Sequence, residues 1–482
     1  MRFTILLSAS VIGLSGCASL NSLSKIKPEP TPVIAQEVTP IAPVWDEAAP
    51  EDLPTTDWVG SFSDQTLSQL VGEALDANTN IRSAAARVDA AMQRAKISRA
   101  DKLPSVNASG TYSRTQTNLP FQVPTNIDIG VSATWEADLW GRIRDGINAS
   151  NFELGATQAD YAGARLSIAG QVSQAWFDLI EARLLTELSE RDVDTQERAL
   201  RLTQRRFEGG VTGSSDVRLA RSSVANAQAL QASREQRLSA ITRQLEVLLR
   251  RYPAEEIQAA ADLPVLPPLS GAGTPGYVLR KRPDILALEQ RLKSQGLQID
   301  IARKNLLPTL SLRGTTSLGA TSFEDIFDID ALVLRLVANA AMPIFQGGRL
   351  KANVKQQEAL LRQQLESYAG AALTAYLEVE NALDGEQRLL ERETALRTSL
   401  EEARQAENRL ELRYTEGLAT ILQLLDAQSR RLSAEGQLIG ARKERLANRV
   451  RMHIALGGGL ETDGTPLLYG DLTHNKIRTF TP

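Results

Sequence analysis

The segment "NIDIGVSATWEADLW" at positions 126–140 alternates between apolar and polar residues along its whole length. Its apolar positions are Ile127, Ile129, Val131, Ala133, Trp135, Ala137 and Leu139. Alternation with a period of two predicts a β-strand that has one apolar and one polar face. Most of the remaining chain is polar and rich in Ala and Gln, which favours helices. The pattern therefore predicts a mainly helical protein with a few two-faced strands.

Three further segments show similar alternation, at positions 105–113, 310–318 and 331–345. Together with the first segment they form two neighbouring pairs, so we expect one β-hairpin at 103–140 and a second at 308–345. The chain is thus predicted to contain four strands.

A helix is predicted before each hairpin, at about 80–102 and at about 284–307. Pro104 and Pro308 follow these segments, and proline cannot continue a helix. The two hairpins are therefore preceded by equivalent elements.

A long segment without proline follows each hairpin, at 142–250 and at 349–456. Each predicts a pair of helices, of which the first is about 100 Å long at 1.5 Å per residue. The glycines at 209–213, and Gly417 in the second segment, predict the turn that reverses the chain. Helices of this length are typical of coiled-coil packing.

The two halves of the chain are copies of one unit. "RRFEGGVTGSSDVRLAR" (205–221) aligns without gaps with "LRYTEGLATILQLLDAQ" (412–428), at an offset of 207 (412 − 205). Upstream, "KLPSVNASG" (102–110) aligns with "LLPTLSLRG" (306–314) at an offset of 204 (306 − 102). We expect the turn of a hairpin to absorb this difference of three residues.

The duplication sets the expected domain limits. The first repeat covers 61–262 and the second covers 283–456, with a Pro-rich linker at 263–282 between them. A C-terminal tail is expected at 457–482.

The N-terminus resembles a bacterial lipoprotein signal. Arg2 is followed by an apolar run and then by "LSGC" (14–17), which predicts a signal peptide at 1–16 and acylation of Cys17. The alternative is an ordinary signal peptide with a chance cysteine, but Cys17 is the only cysteine in the chain. A tether rich in Pro and Thr is predicted at 17–60.

The composition excludes several classes of function. Lys plus Arg number 54 against 58 Asp plus Glu, so the basic excess of a nucleic-acid-binding protein is missing. Two histidines, His453 and His474, and one cysteine leave little material for a metal site or for Cys/His catalysis. We expect neither an enzyme nor a cofactor, and no transmembrane helix beyond the first residues.

The number of strands bears on assembly. Strands with a lipid-facing side cannot leave their edges unpaired, and the smallest transmembrane barrels have about eight strands. One chain with four strands is too small, so membrane-crossing strands require several copies of the chain. The long helices must then project into water.

The chain resembles the TolC-type outer-membrane efflux proteins, and among them the OprM-like lipoprotein branch. The motifs that carry the resemblance lie along the whole chain: "LSGC", "RKRPDI" (280–285), "LLPTLSL" (306–312), "FQGGR" (345–349), "RFEGGVTGSSDV" (206–217), "RYTEGLATILQLLDAQ" (413–428) and "ALGGG" (455–459).

The resemblance implies a homotrimer. Three chains would form a 12-stranded β-barrel in the outer membrane, continuous with a 12-helix α-barrel in the periplasm. The tether, the linker and the tail would pack around the waist of the α-barrel. The family rule for Ala18 after the cysteine implies outer-membrane localisation with a lipid anchor. The implied partners are a periplasmic adaptor (membrane fusion) protein, an inner-membrane RND-type pump and outer-membrane lipid.

The resemblance also assigns roles to residues. It implies lipid contact for Ile127, Ile129, Val131, Leu334 and Leu336. It places the adaptor-docking tips at Gly210 and Gly417, although helix-capping alone is sufficient to explain these glycines.

The family closes its periplasmic aperture with an aromatic residue and acidic residues near each turn. The matching positions are Phe207, Asp216, Tyr414, Gln423 and Asp426. Gln423 replaces the first of the family's two aspartates in the second copy, so the aperture is expected to attract cations less strongly. Asp216 follows directly after the turn and could alternatively be a helix N-cap. Asp426 lies further into its helix, so capping explains it less well.

Three functions remain open from the sequence. The first is a passive exit duct for small molecules such as drugs, coupled to an adaptor and a pump. The second is the outer-membrane duct of a type I protein secretion system. The third is a lipid-anchored periplasmic coiled-coil scaffold whose strands form a soluble sheet. The charge run at 401–413 is interpreted as a solvated helix face.

Overall fold

A computed structural model provides the fold. It describes residues 44–46, 57–115, 117–118, 121–122, 125–269, 271–322, 324, 330 and 332–458. Cys17, the predicted signal peptide, most of the predicted tether and nearly all of the C-terminal tail lie outside these residues.

The helices dominate the described part of the chain. They are α1 Gln65–Ala77, α2 Thr79–Ala100, α3 Arg142–Glu208, α4 Ser214–Leu248, α5 Pro275–Lys281, α6 Pro283–Lys304, α7 Arg349–Thr415 and α8 Ile421–Ala455. The equivalent helices α3 and α7 each have 67 residues, and α4 and α8 each have 35. A helix of 67 residues is about 100 Å long. None of the described helices is both long and apolar enough to cross a membrane.

The main apolar core lies where α1 and the middle of α3 meet the ends of α4 and α8. Its largest fully buried side chains include Trp58, Phe62, Trp176 and Phe177. Asp64 orders this region, because one carboxylate oxygen caps α1 by accepting from the Leu67 N–H at 3.0 Å. The other accepts from the Trp176 indole at 2.8 Å. Trp58, placed in the predicted tether, is therefore part of the core.

Two antiparallel hairpins form one four-stranded sheet. The four strands of this sheet are β1 Ser105–Arg114, β4 Thr125–Ala137, β5 Thr309–Ala320 and β6 Leu332–Ala341. Two further strands of two residues each, β2 Thr117–Asn118 and β3 Phe121–Gln122, lie in the connection between β1 and β4. The main sheet has the order β1-β4-β5-β6, and β2 pairs with β3 alone. Within the described residues, β1 and β6 are the open edges of the main sheet.

The register locates the difference between the two repeats. Ser105 pairs with Thr134 in the first hairpin, and Thr309 pairs with Ala341 in the second. The first members of these pairs are 204 residues apart (309 − 105) and the second members 207 apart (341 − 134). The three-residue difference therefore lies in the connection between the two strands of the hairpin.

The strand β4 ends earlier than the alternation suggested. It stops at Ala137, so Leu139 and Trp140 do not belong to it. The Asp138 carboxylate accepts hydrogen bonds from the Ile143 and Arg144 N–H groups, at 3.0 and 2.9 Å. These are among the first N–H groups of α3, which have no partner within the helix. Asp138 therefore caps the start of α3 through its side chain and is not a strand residue.

The predicted linker is more structured than expected, because it contains α5. Thr274 caps this helix by accepting from the Tyr277 N–H, and Pro275 occupies its first position, where the missing N–H costs nothing. Upstream, the Pro267 and Pro268 carbonyls accept from Arg449 Nη1 at 2.5 and 2.6 Å. The linker is thus packed against α8.

A short piece of the predicted tether lies beside the linker. The Trp45 indole donates to the Gly273 carbonyl at 2.8 Å, and its ring packs edge-on against Tyr376 of α7. The Asp46 N–H donates to Glu380 at 2.9 Å. These contacts tie residues 44–46 to the same level of the molecule as the linker.

The "RPD" motif joins three helices. Arg282, between α5 and α6, is buried and donates to Glu378 of α7 at 2.6 Å and to Asp284 at 2.8 Å. It also donates to the Ala455 carbonyl at the end of α8, at 3.0 Å. Pro283 opens α6, so the motif combines a helix start with a buried cation that links α6, α7 and α8.

Candidate functional site: the faces of the sheet and the two helical turns

The register gathers the apolar strand positions onto one face of the sheet. Residues directly opposite in neighbouring strands point to the same side. Gly110, Ile129, Leu318 and Leu332 form one row across the sheet, and the next row is Ala108, Val131, Thr316 and Leu334. We define the apolar face as the even positions of β1, β5 and β6 and the odd positions of β4, and the polar face as the remainder.

The predicted lipid-facing residues lie on the apolar face but differ in exposure. Leu334 and Leu336 are 77% and 79% exposed, and Ile129 and Val131 are also exposed. Ile127 is only 4% exposed because it packs against Ala320, its partner in β5. In this chain Ile127 therefore has little free surface. The polar face carries Asp128, Ser132 and Thr134.

The two helical turns have the same backbone hydrogen bonds. In the first, the Gly210 N–H donates to the Phe207 carbonyl and the Val211 N–H to the Arg206 carbonyl, both at 2.9 Å. In the second, Gly417 and Leu418 donate to the corresponding carbonyls of α7, at 3.1 and 2.8 Å. This pair of bonds is the Schellman motif, whose glycine adopts a left-handed conformation. Gly210 and Gly417 have φ values of 71° and 84°, so both act as helix-capping glycines.

The equivalent aromatic residues before the turns have different environments. Phe207 is 46% exposed, whereas Tyr414 is 2% exposed and packs with Ala199, Ile421 and Leu424. The Tyr414 hydroxyl lies 2.9 Å from the Thr203 hydroxyl of α3. The sequence predicted the same role for both aromatics; in the single chain only Phe207 presents its ring to the surface.

Arg206 connects the first copy to the second turn. Its Nη1 donates to the Tyr414 carbonyl at 2.6 Å, and its guanidinium carbon lies 4.8 Å from the centre of the Tyr414 ring, in the range of a cation–π contact. The sequence analysis missed this residue, because its partner lies 208 residues away.

Asp216 lies in the first turn of α4 but does not cap it. The N-cap position belongs to Gly213, so the proposed N-cap role of Asp216 is wrong. Its carboxylate accepts a hydrogen bond from the Thr212 hydroxyl, and its position favours a negative charge because of the helix dipole. Asp216 is half-buried at the tip.

Gln423 and Asp426 lie one turn apart on the exposed side of α8. Gln423 forms a capping box with Thr420: its side chain accepts from the Thr420 N–H at 3.0 Å, and its N–H donates to the Thr420 hydroxyl at 3.3 Å. The replacement of an aspartate by Gln423 is thus compatible with a well-capped helix. Asp426 forms an exposed ion pair with Arg430 at 2.9 Å.

Exposed apolar side chains surround both turns. Val211 and Leu418 occupy equivalent positions directly after the glycines, and both are exposed. Leu219 is exposed in the first copy, as are Leu412 and Leu422 in the second. The turns therefore offer apolar surface as well as carboxylates.

A buried ionic network lies about 15 Å above the second turn. Glu407 of α7 and Glu435 of α8 both pair with Arg431, at 2.5 and 3.1 Å, and Arg191 and Arg404 also pair with Glu435. Burial raises the pKa of the Glu407 carboxyl, and Arg431 opposes this shift. The prediction of a solvated face for the charge run at 401–413 is therefore wrong for Glu407.

The same network reaches α3. Burial raises the pKa of the Asp192 carboxyl, while the Gln196 amide and Arg431 partly offset the effect. No group of His, Cys, Asp and Glu side chains in the described residues is arranged to hold a metal ion. These contacts join α3, α7 and α8 above the turns.

Comparison with known proteins agrees with this geometry. The family model described as outer membrane efflux protein matches residues 70–249 and 275–458. The outer membrane protein OprJ of Pseudomonas aeruginosa is 28% identical over 441 residues, which cover 89% of this chain and 92% of OprJ. The toluene efflux pump outer membrane protein TtgC of Pseudomonas putida is 29% identical over 474 residues, 94% of this chain and 95% of TtgC.

The structure of the outer-membrane channel OprN has a TM-score of 0.80 to this chain at 28% identity, and the match covers 88% of this chain and 98% of OprN. The first family match lies within the first repeat, short of its ends, and the second spans the second repeat, so each match contains one hairpin and one pair of long helices. The chain therefore belongs to the outer membrane efflux protein family.

Proposed function

We propose that this outer-membrane efflux channel works as a homotrimer. Each chain contributes the four strands of the main sheet, so three chains give a 12-stranded barrel (3 × 4). The long helices α3, α4, α7 and α8 of three chains form the periplasmic α-barrel. The trimer is a passive duct that exports small molecules without covalent chemistry.

The observation that carries this proposal is a sheet with an exposed apolar face and two open edges. In lipid, an unpaired strand edge leaves backbone groups without partners, at a cost of several kcal/mol each. Closure with other copies pairs β6 of one chain with β1 of the next and removes both edges. A water-exposed sheet of a periplasmic scaffold is a poor fit, since side chains such as Leu334 and Leu336 would remain in water.

The far ends of the long helices provide the docking and gating surfaces of the proposal. Each turn exposes glycine backbone and apolar side chains, which suit a periplasmic adaptor protein. Asp216 and Asp426 of three chains surround the axis at the aperture, and carboxylate rings favour cations. An inner-membrane RND-type pump, reached through the adaptor, supplies the energy.

Drugs and toxic compounds are the proposed cargo, because a relative with similar coverage is described as a toluene efflux pump component. Selection among such compounds belongs mainly to the pump. Coupling to a protein secretion system has no comparable support among the relatives described above.

The test is ion conductance across planar lipid bilayers with purified full-length protein. We expect small, cation-preferring steps from the parent. Asp216→Asn combined with Asp426→Asn should reduce the cation preference. Gln423→Glu should increase it, because the added carboxylate keeps the capping box and lies one turn from Asp426.

A matched control is Asp384→Asn. Asp384 forms an exposed ion pair with Arg388 four residues along α7, at 3.3 Å, of the same kind as the Asp426–Arg430 pair. It lies about 45 Å from the end of α7, so its removal should leave selectivity unchanged. If none of the variants changes the conductance or the cation preference, Asp216 and Asp426 do not form the gate. Two results together would contradict the duct: no conductance from reconstituted trimers, and no efflux in cells that produce the protein.

A further inference from the structure

Two arginines lie on the polar face of the sheet. Arg313 of β5 is opposite Val337 of β6, and Arg335 of β6 is opposite Thr315 of β5. Since 313 and 315 are two positions apart on one strand, the two arginines are separated by about 7 Å along the strand direction. Both are exposed. They form a pair in the middle rows of the hairpin.

Neither arginine has a charged partner within the part of the chain that the structure describes. The polar face carries two acidic residues among its described positions, Asp128 and Glu136. Glu136 is neutralised by Arg142 at 2.8 Å. Asp128 lies opposite Gly319, four positions from Thr315 and therefore about 13 Å from the level of Arg335. The middle of the polar face is thus positively charged.

The immediate neighbours of the pair on the polar face are uncharged. Val333 and Val337 flank Arg335 on the same face, and they are the only apolar side chains larger than alanine among the described positions of that face. The remaining neighbours are mainly Ser, Thr and Asn, which are uncharged. None of these neighbours carries a negative charge that would offset the two arginines.

We propose that Arg313 and Arg335 form a basic ring in the lumen of the β-barrel, which favours the passage of small anionic solutes. This inference rests on the trimeric duct proposed above. Guanidinium groups bind carboxylates, sulfonates and phosphates through paired hydrogen bonds, and rings of Arg or Lys are typical of anion-conducting pores. The duct then has acidic groups at its periplasmic tip and basic groups in its barrel.

The ring can be tested from the outer side of the barrel, whatever the state of the periplasmic tip. Thr315→Cys places a thiol opposite Arg335 in the full-length trimer. The rate at which this thiol reacts is measured with two methanethiosulfonates, one anionic (sulfonatoethyl) and one cationic (trimethylammonioethyl). Each rate is divided by the rate at which the same reagent reacts with free mercaptoethanol, which corrects for the different intrinsic reactivities of the two reagents. We expect the anionic reagent to react about tenfold faster than the cationic one after this correction. In about 1 M KCl the preference should shrink, since the screening length falls to about 3 Å.

Charge variants in the Thr315→Cys background identify the source of the preference. Arg313→Gln combined with Arg335→Gln should abolish it, whereas the corresponding double Lys variant should retain it. Heat-resistant trimers on gels verify that the variants assemble. Equal corrected rates in the parent background, or a preference that survives the double Gln change, would overturn the basic ring.

A cysteine on the apolar face separates failure of the ring from failure of the duct. Thr316→Cys lies one residue further along β5 and points to the opposite side. If the duct is correct, it reacts with both water-soluble reagents much more slowly than Thr315→Cys. Reaction of Thr316→Cys at the same rate, or no reaction of Thr315→Cys with either reagent, would overturn the water-filled lumen and the ring with it.

Discussion

At the scale of single residues, equivalent positions of the two repeats have diverged in what they contact. Phe207 and Tyr414 both precede a turn, yet only Tyr414 is enclosed, by Thr203, Ile421 and Arg206. A hydroxyl allows the second copy to place a polar atom in this contact, which phenylalanine lacks. The tip therefore has one anchored turn and one turn with an exposed aromatic ring.

His453 gives a residue-level prediction about pH. It is buried near the end of α8, where its ring stacks on the Trp58 ring with 5.6 Å between the ring centroids. Burial and the nearby Arg449 guanidinium lower the pKa of His453 to about 4. NMR titration of histidine-labelled protein should show this value, with His474→Gln used to leave a single signal. A titration near 6.5, the ordinary value, would show that water reaches the ring.

The sign of the effect on stability follows from this shift. Between about pH 6.5 and 4 the unfolded chain binds a proton at this position and the folded chain does not. Above this range His453 is neutral in both states and its protonation does not affect folding; as the pH falls through the range, proton uptake by the unfolded chain lowers the free energy of unfolding. At about pH 5 the loss is about 2 kcal/mol per chain. His453→Phe should flatten this part of the pH dependence of the thermal unfolding temperature.

At the scale of elements, helix ends decide where strands and turns lie. Asp138 ends β4 because its carboxylate serves the first N–H groups of α3. Thr420 and Gln423 fix the start of α8 after the second turn. These bonds are local: those of Asp138 fix the start of α3 at the sheet end, and those of Thr420 and Gln423 fix the start of α8 at the second turn.

The turn glycines give an element-level prediction. Gly417→Ala forces a side chain into the left-handed conformation and should destabilise the second turn by about 1 kcal/mol. Gly417→Asn should cost less, because asparagine tolerates this conformation. Hydrogen exchange of the Leu418 amide, which donates to the Arg413 carbonyl, measures the opening of the turn.

The control for this prediction is Gly209→Ala. Gly209 has an ordinary φ of −77°, and an added Cβ would meet its neighbours at normal contact distances of 3.5 Å and above. In this variant the Val211 amide, which donates to the Arg206 carbonyl in the first turn, should exchange at a rate close to that in the parent. Equal acceleration by both alanine variants would show that loss of glycine flexibility, rather than the left-handed conformation, governs the turn.

At the scale of the whole molecule, the duplicated unit predicts that the barrel itself holds the protein in the membrane. A Cys17→Ser variant supplied with an ordinary cleavable signal should still reach the outer membrane, because the apolar face of the sheet remains. Membrane fractionation followed by alkaline extraction checks this expectation. A variant that remains soluble in the periplasm would contradict it.

Paired arginine substitutions provide the control for insertion. Leu336→Arg places a charge on the apolar face, where an arginine near the bilayer midplane costs about 2–4 kcal/mol. Asn339→Arg, three residues along, places the same charge on the polar face, opposite the uncharged Ser311. Only the first variant should lower the amount of trimer in the membrane.

Much of the architecture was predictable because its causes are periodic or local. Alternation in β4 indicated the two faces, and the repeated landmarks indicated two equivalent hairpins and helix pairs. The helix α1 and the helix α5 within the Pro-rich linker were missed. The helix α5 has only seven residues, too few for a helical period to stand out from the surrounding prolines. The helix α1 has 13 residues, and its buried Leu67, Leu70, Val71 and Ala74 recur at helical spacing, so its pattern was present in the sequence.

The candidate site was predictable in position but not in contacts. Gly210 and Gly417 could be placed in turns because glycine adopts the left-handed conformation without steric cost. Arg206 and Glu407 could not be assigned, since each looks like an ordinary charged residue on a polar helix. Their partners lie on other helices, 208 residues away for Arg206 and 24 residues away (431 − 407) for Glu407.

The sequence alone thus determined the periodic features: strand faces, helix lengths, the duplication and the glycine turns, all of which depend on neighbouring residues and their backbone preferences. Only the tertiary structure decided which side chains are enclosed and which charges meet. It separated Tyr414 from Phe207, joined Arg206 to the second turn, and set Arg313 beside Arg335 on one face. These outcomes depend on strand register and helix packing, which bring together residues whose separation in the chain carries no local signal.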